Sequence, residues 1–173
     1  MRIHWFRIFL LLSVTAVAQN AHFTGIGYEF RTSGPNKDHV VFVETSLSSR
    51  LSIVGHYRFL DKLWDAPSQL FKLPIEGRTF GVDFKTQVFR VNRLSFGLRG
   101  GTMAYRAQSY SLGGARKWYV IPTSYLTADY QLYKQLYLGA GTGALWFINP
   151  DSYRNHPGAM VEEFFVSIKY RLN

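Results

Sequence analysis

The segment Arg50-Leu51-Ser52-Ile53-Val54-Gly55 returns as Arg93-Leu94-Ser95-Phe96-Gly97-Leu98 and again as Gln135-Leu136-Tyr137-Leu138-Gly139-Ala140. The starts lie 43 and 42 residues apart. Each copy follows a short polar turn and opens a run in which apolar residues alternate with small or polar ones. A period of about 42 residues with alternation inside it matches one β-hairpin with a long tip loop. Stacked hairpins of this kind close most economically into a barrel.

The alternation resolves into eight strand candidates: about Ala21–Arg31, His39–Ser48, Leu51–Leu60, Gly77–Arg90, Arg93–Arg106, Trp118–Leu132, Gln135–Phe147 and Ala159–Leu172. In the last, Phe164, Val166, Ile168, Tyr170 and Leu172 alternate with Glu163, Ser167, Lys169 and Arg171. Pro122 falls near the start of the sixth run, where a missing backbone donor does least harm. Connections after the second, fourth and sixth runs are very short (Ser48-Ser49-Arg50, Val91-Asn92, Tyr133-Lys134), and those after the third, fifth and seventh are long. Short turns at one end and long loops at the other characterise an up-and-down membrane barrel.

Alternation alone does not say which face points inward. A soluble exported barrel binding an apolar ligand would alternate too, with its oily face inside. Three features favour the membrane arrangement: long strands ending in aromatics, unequal loops, and a non-apolar face that mixes glycine with charges of both signs. The expected fold is an all-β, eight-stranded, antiparallel, up-and-down transmembrane β-barrel.

Residues 1–18 read as a cleaved signal peptide, with Arg2 and Arg7 before the apolar stretch Ile8 to Val17 and a small-residue site at Ala16-Val17-Ala18. The barrel domain is then 19–173. The chain has no cysteine, which excludes disulfides, thiolate metal sites and a lipidated N-terminal cysteine. Its formal charge of +9 would suggest nucleic acid in a cytoplasmic protein. An export signal redirects that expectation to anionic lipid head groups. Aromatics make up 17% of residues, and Tyr and Trp settle at membrane–water interfaces. After residue 18 no segment reaches the ~18 consecutive apolar residues of a membrane helix, so any crossing must use strands.

In this arrangement Glu29, Arg31, Glu44, Arg58, Asp83, Lys85, Arg99, Asp129, Glu163, Lys169 and Arg171 project into the lumen. Eight strands leave an interior just wide enough for side chains. Unpaired charges there would be costly, so ion-pair networks and a plugged core are expected. Gly139, Gly141 and Gly143 alternate on one face, leaving space for a tyrosine or arginine from a neighbouring strand.

Some small outer-membrane barrels modify lipid A, and a deacylase would need a serine, a histidine and an acid. His56 with Glu44 or Ser46 are the candidates. However, His56 is followed by Tyr57-Arg58-Phe59, not by the x-Ser-Asn of outer-membrane deacylases. His22, His39 and His156 are dispersed, with no metal-ligand spacing. No cofactor, metal or catalytic residue is therefore expected. The long loops offer Trp64, Phe71, Arg116, Lys117, Tyr153 and Arg154 as contact residues; aromatic and Arg side chains on a rigid scaffold suit a protein-contact surface.

The mature chain resembles small eight-stranded outer-membrane β-barrel proteins. Its final strand, Phe164-x-Val166-x-Ile168-x-Tyr170-x-Leu172, is similar to the C-terminal strand such proteins present to the barrel assembly machinery. Leu73-Pro74-Ile75-Glu76-Gly77, Gly114-Ala115-Arg116-Lys117, Leu145-Trp146, Pro157 and Lys169-Tyr170-Arg171-Leu172-Asn173 also resemble the spacing in TraO, the outer-membrane protein of conjugative transposons. These resemblances imply a monomer in the bacterial outer membrane. Its partners would be outer-membrane lipid, including lipopolysaccharide, and other envelope proteins of a DNA-transfer apparatus. They imply neither catalysis nor direct contact with nucleic acid.

Overall fold

A computed structural model describes residues 22–33, 36–60, 78–108, 116–147 and 159–172. They form eight strands: β1 (His22–Ser33), β2 (Asn36–Ser46), β3 (Leu51–Leu60), β4 (Arg78–Val91), β5 (Leu94–Gln108), β6 (Arg116–Tyr133), β7 (Leu136–Phe147) and β8 (Ala159–Arg171). Each pairs antiparallel with its neighbour in sequence, and β1 pairs with β8 to close the barrel. Closure leaves no edge strand, so the backbone groups of the ladder are satisfied by one another. The signal-peptide reading of 1–18 lies outside the described residues.

The sequence dictates the local geometry at the three tight turns. At 47–50 the Ser48 hydroxyl accepts from the Leu51 amide at 3.1 Å, and the Leu47 amide donates to the Leu51 carbonyl. Between β4 and β5 the chain reverses through Asn92 at φ 53°, a left-handed conformation that Asn tolerates better than most residues. Lys134-Gln135 turns β6 into β7. Three register shifts lie at or near this end, at Phe23/Gly25, Gln87/Phe89 and Gln131/Tyr133. Each extra residue inverts the in–out phase beyond it. After the Val88 bulge, Phe89 pairs with Phe96 in a stacked contact, while Arg90 pairs with Ser95.

Two strand boundaries differ from the sequence reading in ways that matter. Gln108 pairs with Arg116 and Ala107 with Lys117, so Arg116 and Lys117 belong to β6 and not to a loop. The β5–β6 ladder is the longest in the barrel and carries these cations beyond the point where apolar alternation stops. Ser33 likewise pairs with Asn36, which makes the β1–β2 connection short despite its position at the long-loop end. Thr32, Ser33 and Asn36–Asp38, polar residues outside the expected strands, are strand: the Ser33 hydroxyl donates to the Glu162 carbonyl at 2.8 Å, and Asp38 pairs with Arg58.

Most outward positions are apolar and stay exposed. Phe84 is 54%, Leu126 60% and Val166 58% accessible, in mid-strand on three different strands. A water-soluble barrel would bury these and expose the ionic face; here the order is reversed. Aromatic residues bracket this band. Phe59, Phe80, Trp118 and Trp146 stand outward towards the long-loop end, and Phe89, Tyr130, Tyr133 and Tyr170 towards the turn end. An apolar band between two aromatic girdles is the exterior of a barrel that sits in lipid.

Candidate functional site

The lumen is the chemically richest part of the described chain, and it is layered along the barrel axis. Its middle holds one connected ionic network. Arg58 donates to Asp38 and Glu163; Arg31 donates to Glu29 at 2.5 and 2.9 Å and to Glu163 at 3.4 Å. Arg99 joins Glu29 at 2.5 Å to Asp83 at 2.7 Å, and His56 Nε2 lies 3.3 Å from Asp83. Two hydroxyls complete the set: Thr123 donates to Asp83 at 2.7 Å, and Tyr125 donates to Glu163 at 2.8 Å while accepting from Arg31. Every strand except β7 contributes a member.

These groups are removed from water almost entirely; Arg31, Arg58, Asp83 and Glu163 are 0–1% exposed. Desolvating so many charges is costly, and only dense, well-aimed partnering offsets the cost. The planar arginine fork suits this, because each guanidinium bridges two carboxylates from different strands. The rings beneath add to it. Arg31 lies 4.9 Å from the Tyr125 ring centroid and 5.3 Å from that of Phe165.

β7 supplies space instead of charge. A Cβ at Gly143 would stand 2.0 Å from the Ser124 carbonyl oxygen and 2.3 Å from the Tyr125 ring, and one at Gly141 would stand 2.3 Å from the Phe165 ring. The glycine lane thus admits the two rings that pack beneath Arg31, as the alternation of glycines suggests.

Towards the long-loop end the network is covered by a dry cluster of Met103, Tyr105, Ile121, Leu145 and Val161, with Tyr105 stacked on Tyr119 at 5.4 Å. Nothing in the sequence reading anticipated this cap. Its members occupy the inward parity of their strands, so the alternation there is apolar on both faces and the inward set is hidden among outward neighbours. Asp38 also joins the network, because the second strand begins at Asn36, ahead of the expected His39.

Towards the turn end the lumen opens. Lys85 pairs with Asp129 at 2.5 Å and Lys169 with Glu44 at 2.8 Å, both partly accessible to solvent. Beyond them lies a basin of about 310 Å³. Of the eleven charges assigned to the interior, ten are enclosed or half-enclosed in these two layers. Arg171 stands exposed at the rim, 3.4 Å from the Tyr137 hydroxyl. Trp64, Phe71, Tyr153 and Arg154 lie outside the described residues.

The possible hydrolytic set is not assembled. His56 is opposite Phe42 in the β2–β3 register, its ring turned to Asp83, and Glu44 is engaged by Lys169. Ser46 pairs with Ser52, nearer the turn end. No group of three or more His, Cys, Asp or Glu side chains with metal-binding geometry occurs among the described residues.

No protein family matches the sequence, and no curated protein is significantly similar to it. Solved structures do match. The N-terminal β-barrel domain of Pseudomonas aeruginosa OprF superposes with a TM-score of 0.61 at 10% identity, over 87% of this chain and 98% of that one. Neisserial surface protein A gives 0.56 at 11% identity, over 88% and 99%. A designed barrel, TMB2.3, gives 0.57 at 10% identity, over 89% and 97%. At such identities the likeness concerns the fold, which is the eight-stranded barrel of the outer-membrane type.

Proposed function

We propose that this chain is a monomeric bacterial outer-membrane barrel that acts as a structural and interaction protein through the long connections at one end, without catalysis of its own. One observation carries the reading: the charges in the middle of the lumen are spent on each other. Carboxylates and guanidiniums there are committed to one connected network, with His56 beside Asp83 and an apolar cap over it. A side chain locked this way neither carries a solute nor attacks a substrate, so contact chemistry falls to the ends. The outward apolar band and its aromatic girdles support insertion in lipid, lipopolysaccharide included. The resemblance to TraO supports a place among the envelope proteins of a conjugation apparatus.

The test has two parts. Full-length protein should fractionate with outer membranes and change gel mobility on boiling. Replacing residues 61–77, which carry Trp64 and Phe71, by a Gly/Ser segment of equal length should leave both properties intact. It should abolish cross-linking to envelope proteins and lower transfer frequency in a conjugating host. Unchanged cross-linking and transfer would refute the loop role. Carbonate-extractable protein would refute the membrane placement.

A further inference from the structure

The turn-end basin has a charge imbalance that the folding of the barrel does not use. Its walls carry six cations, Arg50, Lys85, Arg90, Arg93, Lys169 and Arg171, against two carboxylates, Glu44 and Asp129. The two lysines take up both carboxylates. Four arginines remain for which the described residues supply no carboxylate. Around them are the hydroxyls of Ser46, Ser48, Ser49, Ser52, Ser95 and Tyr137.

These arginines are exposed at the rim, on backbone that is fixed. The Arg50 carbonyl accepts from the Gln87 amide at 2.8 Å, and the Arg93 carbonyl accepts from the Gln131 amide at 2.8 Å. The Arg171 amide donates to the Gln135 carbonyl at 2.7 Å. Each turn or strand end is thereby tied to the next hairpin. Arg90 is held at its tip as well: its Nε donates to the Asn92 carbonyl at 2.9 Å and its Nη2 to Gln131 at 3.1 Å. Its inward aim depends on the Val88 bulge, which places Phe89 outside and Arg90 over the basin.

We propose that this basin is a binding site for a compact polyvalent oxyanion, carrying two or more phosphate or carboxylate groups. Guanidinium forks present paired donors that match such groups. Hydroxyls add donors without adding negative charge. A concave wall with a surplus of one sign of charge concentrates the field on its contents. The volume is far more than a single water needs. A cation is excluded by the surplus charge, and an apolar ligand by the lining. The site faces the end opposite the long connections, so it does not depend on the function proposed for them.

Full-length protein in lauryldimethylamine oxide micelles should be titrated calorimetrically at constant ionic strength, with tripolyphosphate in one arm and tricarballylate in the other. Saturable one-to-one binding in either arm is expected, and the stronger arm identifies the ligand chemistry. Arg93→Gln/Arg171→Gln should weaken it by about tenfold or more, the loss expected when charge-assisted hydrogen bonds are removed. Lys134→Gln removes a turn-end cation that does not line the basin, and should change affinity less than about twofold. Heat-modifiable mobility verifies that each variant is folded. Absence of saturation in both arms would overturn the proposal. So would an equal loss in Lys134→Gln, which indicates diffuse surface charge, or binding seen only when anionic lipid is added to the micelle.

Discussion

The two halves of the lumen use the same residue types for different ends. In the half towards the long connections, Arg31, Arg58 and Arg99 are sealed from water, each shared between carboxylates, with Ile121 and Leu145 above them. In the half towards the turns, Lys85 and Lys169 each hold one carboxylate in a wet mouth, and the arginines beyond them hold none. Depth decides the value of the pair. A buried charge that loses its partner stays desolvated, whereas a charge near water is rehydrated when its partner goes. The first half is built to hold the barrel together and the second is left available.

Matched substitutions at the two depths give the sharpest way to break this contrast. Arg58→Met would leave Asp38 and Glu163 without their shared cation, and should cost about 3–5 kcal/mol of stability. Lys85→Met, in the open half, should cost about 1 kcal/mol or less, because Asp129 turns to water. Urea unfolding of the two variants in detergent or vesicles measures the difference. Equal losses would show that the turn-end pairs are as dry as the central ones.

A smaller effect of the same kind is expected on the glycine lane. Around Gly143 the obstacles to a Cβ include backbone, the Ser124 carbonyl and the Tyr125 Cα, which cannot move aside. Around Gly139 the nearest two are the Ser167 hydroxyl and a carboxylate oxygen of Asp129, both at the ends of side chains that can swing into the basin. Gly143→Ala should therefore destabilise by about 1–3 kcal/mol, through strain in a filled layer. Gly139→Ala should change stability by about 0.5 kcal/mol or less, the usual range away from packed features. The same unfolding transitions check both, and the ranking is the informative quantity.

How much of this was legible follows from where alternation is clean. From Phe80 to Lys85 and from Leu94 to Arg99 every second residue is apolar and the others are polar or glycine, so strand, face and inward charge all follow from period two. The third strand was placed residue for residue, Leu51–Leu60. Alternation carries less information where both faces are apolar. Val120-Ile121 and Trp146 beside Leu145 read as continuous oil, and the dry cap hides in such runs. It also fails where polar residues point inward at a strand end: Asp38 lies close after turn-like Pro35 and Asn36, and its strand place comes from pairing with Arg31 and Leu60 and from its ion pair with Arg58. The bulges did leave a trace. Val88-Phe89 and Leu132-Tyr133 are adjacent apolar pairs in otherwise alternating runs, and each sits at a register shift. A pair of this kind signals that the faces exchange, which is the step needed to foresee Arg90 in the basin. The ionic partners themselves were not readable, because Arg58 with Glu163 and Arg31 with Tyr125 meet across the barrel from distant strands.

The smallest expected effect is also the strictest test of two separate halves. If the central network and the turn-end pairs are energetically distinct, Arg58→Met and Lys85→Met should act independently. Their combined loss should match the sum of the single losses to within about 0.5 kcal/mol, as for sites without shared partners. The physical reason lies between them. Phe42 and Phe165, from the two strands that flank β1, are buried at the level where the two layers meet, each ring seated over a glycine, Gly27 and Gly141. An apolar layer of this kind transmits packing strain but carries no hydrogen bond from one set of charges to the other. Lys85 does face Arg99 across the β4–β5 ladder, and this is where communication would show first. A double-mutant cycle with Arg99→Met in place of Arg58→Met should accordingly give a larger coupling. Each single substitution already relieves the repulsion between the two facing cations, so the double loss should exceed the sum. Strong coupling in the Arg58 cycle instead would mean that the lumen is a single electrostatic unit from cap to mouth, and that an anion in the basin would be felt by the core.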